Sequence, residues 1–182
     1  MPEKLHRSHG SGQFTLDQFR SLGSECVFEP GVLVFHPENI VLGENVYVGH
    51  YAILKGYYKG LMEIGDRTWI GQQCFFHSGG GLRIGARVGI APGVRIITSV
   101  HGEVGTDTAV LFSPIEFAPV VVEDDADIGV GSVILPGAHI GKGAIIGANS
   151  VVKGEIPPYA IAAGSPARII RFRGQPPAER PQ

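Results

Sequence analysis

A period of six residues runs through most of this 182-residue chain and limits what it can fold into. Neither an α-helix, with its period of about 3.6, nor a single strand, with its period of 2, produces such spacing. A short strand followed by a turn does. The pattern is continuous near the C-terminus and occurs earlier in sets of three: Val122, Ile128, Ile134, Ile140, Ile146 and Val152; Leu42, Val48 and Leu54; Ile64, Ile70 and Phe76; Ile84, Ile90 and Ile96.

The companion positions of the repeat predict a stacked coil. Glycine often follows the aliphatic residue, where it would support backbone geometries closed to other residues, and a small residue for a tight corner comes four positions after the aliphatic one. Three units make one triangular coil, and coils stacked by parallel pairing, about 4.8 Å apart, bury a common aliphatic column. A β-sandwich would space its turns irregularly. We therefore expect an all-β protein, a parallel β-helix.

The segment before the repeats favours a short capping helix. Thr15 and Gln18 have the spacing of a capping box, and Phe14, Leu16, Phe19 and Leu22 would pack as a lid on the first coil. Residues 1–35 are thus assigned to a flexible tail and a short helix. The β-helix is expected over residues 36–163.

The segment after the repeats favours a second capping helix within residues 164–182. Ser165 is a candidate N-cap, and Pro166 suits the first helical position. Ile169, Ile170 and Phe172 would cover the open end of the prism. The proline-rich end of the chain is expected to be flexible.

Bulk composition excludes several classes of function. The net charge of −2 provides no general basic field for nucleic acid or an anionic membrane. The N-terminus lacks the apolar core of a secretory signal, and no apolar run reaches the length of a membrane span. Cys26 and Cys74 are far apart in sequence and are interpreted as reduced thiols. A soluble, cytoplasmic protein without membrane insertion is expected.

The repeat units LGENVY, IGDRTW, IGARVG, IGVGSV, IGKGAI and IGANSV resemble those of the hexapeptide-repeat acyltransferases, from about Pro37 to Arg173. The string AGSPARIIR is similar to the terminal motif of acetyltransferases in that family. The resemblance implies a left-handed β-helix, a homotrimer and acetyl-CoA as co-substrate. Left-handedness comes from the resemblance alone.

The one long break in the pattern begins beside a histidine. Ile96 and Val122 are separated by about twenty residues more than one unit needs, so residues 101–119 should leave the prism as a loop. Long loops on compact scaffolds tend to carry function. His101 lies at the base of this loop, where neutral imidazole could act as a general base.

The family resemblance supports the same residue. The strings IITSVH and APVVVEDDADIGVGSVILPG resemble the maltose/galactoside acetyltransferase-like and polysaccharide O-acetyltransferase-like branch of this family, in which a histidine precedes a comparable loop. The chain departs from this pattern at Gly102, where many relatives have proline. His77, before a glycine-rich bulge, is the second catalytic candidate, and Glu103 or Glu116 could orient the imidazole. A structural histidine is the alternative.

The resemblance also implies a coenzyme A groove along one corner, between neighbouring subunits. Lysine and arginine there would face phosphates, which suits their chemistry; the small residues would be needed at a tight corner in any case. The implied contacts are Gly129, Gly131, Ser132, Ala148, Ser150, Lys153 and Arg168.

The expected function is acetyl-CoA-dependent O-acetylation of a sugar or glycan precursor, as in polysaccharide biosynthesis. Tyr57 and Tyr58 offer rings that could stack on a sugar or pack between subunits. A xenobiotic acetyltransferase is the main alternative. A γ-type carbonic anhydrase would need three histidines on one zinc, and the usual close pair is missing because position 106 is Thr106. No metal is expected. A non-catalytic trimeric scaffold stays open.

Overall fold

A computed structural model describes residues 7–175 of the chain. These residues form a parallel β-helix of about seven coils, in which the three strands of a coil contribute to three sheets, A, B and C. The coils, in chain order, are β1 (Ser21–Leu22), β2 (Val27–Phe28), β3 (Leu33–Phe35); β4 (Ile40–Leu42), β5 (Tyr47–Val48), β6 (Ile53–Lys55); β7 (Met62–Ile64), β8 (Trp69–Ile70), β9 (Phe75–His77); β10 (Leu82–Ile84), β11 (Gly89–Ile90), β12 (Arg95–Ile96); β15 (Val120–Val122), β16 (Asp127–Ile128), β17 (Val133–Ile134); β18 (His139–Ile140), β19 (Ile145–Ile146), β20 (Val151–Val152); β21 (Glu155–Ile156), β22 (Ala160–Gly164).

Three further strands lie outside this scheme. β13 (Ser99–His101) and β14 (Ile115–Phe117) form an antiparallel hairpin between β12 and β15. β23 (Ala167–Phe172) pairs antiparallel with β22 at the end of sheet B. Single 3₁₀ turns occupy Leu16–Gln18, Pro37–Asn39 and Val110–Phe112. Within residues 7–175, no helix has the length and apolar composition to cross a bilayer.

The six-residue rows are confirmed as the core of the prism. Every aliphatic or aromatic side chain of the predicted rows is at most 2% exposed, from Leu42 at one end to Val152 at the other. The small residues four positions later are buried as well, at the corners. The strands of sheet A over Ile40–Leu42, Met62–Ile64, Leu82–Ile84 and Val120–Val122 bury a second side chain in addition to the predicted row, whereas most other strands bury one. These side chains and the corner residues together fill the narrow interior.

The glycines of the repeat have a different reason from the one predicted. The φ angles of Gly65 and Gly129 are not positive. A Cβ on Gly65 would lie 2.6 Å from the carbonyl carbon of Gly85, and one on Gly129 would lie 2.6 Å from the amide nitrogen of Ala148. Close approach of successive coils, rather than a left-handed backbone, therefore excludes larger residues there. At Gly131, φ is +69°, so there the conformational argument holds.

The prediction of a short capping helix before the repeats, within residues 1–35, is wrong. Gln18 Oε1 does accept a hydrogen bond from the Thr15 N–H at 3.0 Å, but only a three-residue 3₁₀ turn follows. The chain then enters β1, which pairs with β4, so the prism begins at Ser21 rather than at residue 36. Phe19 is buried beneath the turn, whereas Leu16 is 57% exposed and does not belong to the lid.

The C-terminal capping helix is also wrong, because residues 167–172 form β23. Ser165 and Pro166 lie in the turn that connects β22 to β23. β22 would otherwise expose an unpaired edge, and an antiparallel strand satisfies its backbone groups. Ile169 and Ile170 are 46% and 61% exposed, so they do not cover the end of the prism. The first six and last seven residues, predicted as flexible tails, lie outside the described residues.

Candidate functional site

The insertion after the fourth coil is an antiparallel hairpin at the corner between sheets C and A, here called the C–A corner. Ser99 lies opposite Phe117 and His101 opposite Ile115, and the connecting residues 102–114 project beyond these pairs. The chain then re-enters the prism at β15, which pairs in register with β10. The rigid prism therefore holds both ends of the hairpin that carries His101.

The His101 side chain is exposed, and its Nδ1 lies 3.4 Å from Ser113 Oγ. Ser113 is buried, and its hydroxyl donates its single proton to the Val110 carbonyl at 2.8 Å. Toward His101 this hydroxyl can therefore only accept, which requires the proton to reside on Nδ1. In the neutral imidazole, this arrangement makes Nε2 the nitrogen with the free lone pair.

Neither glutamate considered for orienting His101 bonds to its ring within residues 7–175. Glu116 lies opposite Val100, on the other face of the hairpin from His101. Its carboxylate lies over Gly102, where a Cβ would be 2.7 Å from Oε1. Glu103 is exposed in the loop. Its role, like that of the whole predicted catalytic set, stays a prediction.

The hairpin geometry accounts for Gly102, the position at which the chain departs from the expected family pattern. Its N–H donates to the Pro114 carbonyl at 2.8 Å, one residue beyond the last strand pair. A proline at position 102 would remove this donor. With glycine at position 102, the first loop residue of the hairpin keeps a backbone hydrogen bond to Pro114, the residue directly before β14.

His77 lies at the base of the same hairpin, within an aromatic cluster. Its ring centroid is 5.1 Å from that of Tyr57, which also packs against Phe117 at 5.9 Å and Tyr58 at 4.7 Å. Burial, assisted by the charge of Lys55, lowers the pKa of His77 below its ordinary value. His77 is therefore held neutral in a half-buried aromatic pocket at the C–A corner.

Most of the predicted coenzyme A contacts line the opposite edge of sheet C, at the corner between sheets B and C, here called the B–C corner. Gly129, Gly131 and Ser132 form this corner in the fifth coil, and Ala148 and Ser150 form it in the sixth. Arg168 is exposed on β23, directly after the turn that ends the seventh coil. Lys153 is separate from these residues, because it follows β20 at the C–A corner.

The two serines of this set have structural partners. Ser132 Oγ donates to the Gly147 carbonyl at 3.1 Å, and Ser150 Oγ donates to the same carbonyl at 2.6 Å. Ser150 Oγ also accepts from the Gly164 N–H at 3.1 Å. Both side chains are fully buried. A ligand at this corner would therefore meet glycine and alanine surfaces rather than free hydroxyls.

The outer face of sheet C, between the two corners, is largely apolar. Its outward positions alternate with the buried core row in each strand. The apolar members are Leu33, Phe35, Ile53, Phe75, Val133 and Val151, and the exposed Arg95 interrupts their row between Phe75 and Val133. On one chain, this face separates the two histidines from Arg168.

A groove of about 560 Å³ lies along sheet A and contains none of the predicted site residues. Two of its carboxylates accept hydrogen bonds from backbone N–H groups. Ala86 N donates to Asp124 Oδ1 at 2.9 Å, and Lys142 N donates to Glu123 Oε2 at 2.8 Å. No group of three potential metal ligands occurs among the described residues.

Ser113 was not predicted, because the residues around it form no motif and only the fold of the hairpin brings its hydroxyl to His101. Nor were Trp69, Gly89 and Asp127, whose repeat register places them in one column of sheet B. The spacing of six would have allowed that alignment, had the outward positions been examined along with the inward rows.

Comparison with known proteins agrees with this architecture. Residues 119–154 match the family model for the bacterial transferase hexapeptide (six repeats), so the hexapeptide-repeat assignment is confirmed over this part of the chain. A protein of Schizosaccharomyces pombe, described as a candidate acetyltransferase, is 37% identical over 60% of this chain and 52% of its own length. A tetrahydropyridine-dicarboxylate N-acetyltransferase of Staphylococcus aureus is 41% identical over 40% of this chain and 30% of its own length. The matched region thus spans about half or less of these relatives.

Two solved structures are similar over most of the chain. A hexapeptide-repeat acetyltransferase of Vibrio cholerae, in complex with acetyl-CoA, has a TM-score of 0.66 at 27% identity, with 87% of this chain and 74% of that chain covered. A variant of AntD, an N-acyltransferase of Bacillus cereus in complex with dTDP-4-amino-4,6-dideoxyglucose and coenzyme A, has a TM-score of 0.77 at 22% identity, with 87% and 86% covered. The latter likeness concerns the fold alone.

Proposed function

We propose that this protein is an acetyltransferase that moves an acetyl group from acetyl-CoA to a hydroxyl of a sugar acceptor, with His101 as the general base. The observation that carries the proposal is the hydrogen-bond arrangement around Ser113, which leaves a basic Nε2 on an exposed imidazole. The acetyl- and acyltransferase relatives, one of them bound to acetyl-CoA, support the reaction class.

The proposed chemistry uses His101 in both directions. Nε2 takes the proton of the acceptor hydroxyl as its oxygen forms a bond to the thioester carbonyl carbon. When the carbon–sulfur bond breaks, the imidazolium returns that proton to the sulfur of the departing thiol. Acetyl-CoA supplies the activated acyl group, and no metal or redox partner is required. His77, neutral beside Tyr57, would line the acceptor side of the site.

The proposed catalytic histidines and most of the proposed coenzyme A contacts lie at opposite edges of sheet C, and this placement has a consequence for the oligomeric state. His101 and His77 lie at the C–A corner, whereas Gly129, Ala148 and Arg168 lie at the B–C corner. A site that uses both sets therefore takes one edge from each of two adjacent copies. The apolar outer face of sheet C is suited to packing around a threefold axis, which supports a homotrimer.

Free-thiol release from acetyl-CoA, measured across sugars, nucleotide sugars and antibiotics, tests this function. We expect turnover with a sugar hydroxyl and its loss in His101→Ala, with a fall of about 10²–10⁴-fold in kcat. Activity that survives His101→Ala would refute the proposed base. Absence of acetyl-CoA binding would favour a non-catalytic scaffold, and antibiotic turnover would favour xenobiotic modification.

Transfer to an amine is a second candidate function, favoured by the N-acyltransferase relatives. A neutral amine attacks the thioester carbonyl without first losing a proton, and its nitrogen becomes acidic only once that bond has formed, so N-transfer depends less on a strong general base than transfer to a hydroxyl does. Mass spectrometry of the product, combined with its stability to mild alkali, distinguishes an ester from an amide. Carbonic anhydrase chemistry would instead require stoichiometric zinc in the purified protein.

A further inference from the structure

Trp69 is the only tryptophan of the chain and lies on the outer face of sheet B, 41% exposed. Its ring is parallel to that of Tyr47 in the preceding coil, with centroids 5.6 Å apart and planes inclined by 2°. The Tyr47 hydroxyl donates to Glu29 Oε1 at 3.1 Å. One face of the indole is therefore held by a fixed neighbour, and the other faces the next coil.

The next coil leaves that second face open. Gly89 is the register partner of Trp69 on one side and of Asp127 on the other. Its φ angle is not positive, so the backbone conformation does not require glycine. A Cβ at Gly89 would meet only the Asp127 side chain, with Oδ1 at 2.6 Å.

This makes Gly89 different from the repeat glycines that pack against backbone, such as Gly65. The backbone conformation does not exclude a larger side chain at position 89, and the contact that opposes one is with the Asp127 side chain rather than with backbone. The glycine instead leaves a gap in the outward column, with an indole face on one side and a carboxylate on the other. Strands β8 and β16 are two spacings, about 9.6 Å, apart. The Asp127 carboxylate reaches into this interval, with Oδ1 2.6 Å from the Cβ position of Gly89, so a ring of about 3.5 Å thickness that stacks on the indole also comes within reach of that carboxylate.

The charge at the gap selects among ring-shaped ligands. Asp127 is exposed and forms no ion pair within residues 7–175. Its carboxylate is acceptor-only and favours hydroxyl donors, and together with Glu29 it disfavours phosphate. An indole face accepts the C–H face of a pyranose, while the hydroxyls around that ring reach the carboxylate.

We propose that Trp69, Gly89 and Asp127 form a binding site for a neutral pyranose ring, which stacks on the indole in the gap above Gly89 and donates a hydroxyl hydrogen bond to Asp127. The site concerns binding and does not depend on the transfer chemistry of His101.

Fluorescence titration of the full-length protein, without acetyl-CoA, tests the site directly because all indole emission comes from Trp69. The probes are methyl β-glucopyranoside, methyl β-galactopyranoside and thymidine. We expect a saturable change in emission with at least one pyranoside, in the millimolar range, and protection of Trp69 from quenching by acrylamide. The same response is expected in His101→Ala, which separates this site from the proposed function.

Two variants and one matched control sharpen the result. Gly89→Leu fills the gap and should abolish the response, and Asp127→Asn should weaken binding about tenfold through loss of a charge-assisted hydrogen bond. Val27→Leu enlarges an outward side chain of the same column beyond Tyr47 and should retain wild-type binding. Thermal melting establishes that each variant is folded.

Four outcomes would overturn the proposal. The first is a lack of saturable response to both pyranosides; the second is an unchanged response in folded Gly89→Leu. The third is a stronger response to thymidine, which would assign the gap to a nucleobase. Inaccessibility of Trp69 to acrylamide in the free protein would show that a second copy covers the face, and would also exclude the site.

Discussion

Ser113→Ala should lower the rate of acetyl transfer without removing the general base. The hydroxyl of Ser113 accepts from Nδ1–H of His101 at 3.4 Å, longer than the usual 2.7–3.2 Å, so the bond lies at the weak end of the ordinary range. A loss of about 0.5–1 kcal/mol then redistributes the proton between the two ring nitrogens. We expect kcat to fall about two- to fivefold, far less than in His101→Ala.

The assay is thiol release at saturating acetyl-CoA and acceptor, together with ¹⁵N NMR of the imidazole. Wild-type His101 should show a protonated Nδ1 in its neutral form, and Ser113→Ala should show a mixture of tautomers. Ser113→Thr retains the hydroxyl and should restore both readouts. The reasoning is refuted if the neutral wild-type ring carries its proton on Nε2, or if Ser113→Thr is as impaired as Ser113→Ala.

Further expectations concern stability and assembly. Burial lowers the pKa of His77 in the folded protein, so below the ordinary value of 6.5 the unfolded chain binds more protons than the folded one and the free energy of unfolding falls with pH. Chemical denaturation at pH 7 and at pH 5 should therefore show a smaller loss of stability in His77→Phe than in the wild type. Gly129→Ala should cost about 1–3 kcal/mol in urea denaturation, because its Cβ would meet backbone of the next coil; Gly105→Ala, in open space, is the control, and equal stability of the two variants would contradict the packing argument. Co-expression of His101→Ala with Arg168→Glu in equal amounts should restore about a quarter of wild-type activity if each site joins two copies; zero recovery would place both residues in one copy's site.

The proposed base and most of the proposed coenzyme A contacts lie at two corners of the prism that differ in construction. The C–A corner carries an inserted hairpin and an aromatic pocket, whereas the B–C corner is built from small residues whose coils approach closely. Ser132 and Ser150 use their hydroxyls to hold that corner together. Both hydroxyls bond to the Gly147 carbonyl, so they link the fifth and sixth coils at that corner.

Much of the fold was predictable because the repeat couples sequence to position in a regular way. A side chain that recurs every six residues must return to the same wall of the prism, so the rows from Leu42 to Val152 were correctly placed inside. The two capping helices failed for a local reason. Their capping residues are compatible with turns, and the edges of the adjacent strands offered pairing that an isolated helix could not.

The candidate site was also predictable from the sequence only in part. His101 was singled out because the period breaks beside it, and the structure places it on a hairpin anchored at both ends by the prism. Its partner was not predictable: two glutamates were considered, whereas the atom that contacts Nδ1 is Ser113 Oγ. Hydrogen bonds across a loop depend on how the loop returns, and no periodicity governs that path.

The sequence by itself determined the period, and with it the parallel stacking, the buried rows and the location of the insertion, because side chains that recur every six residues must return to the same narrow core. Only the tertiary structure decided what faces outward and what meets across coils. The imidazole tautomer implied by Ser113, the separation of His101 from Arg168 and the open face of Trp69 all arise from residues that are distant in sequence. Stacking brings them together or apart, and their positions in the chain alone do not specify those distances.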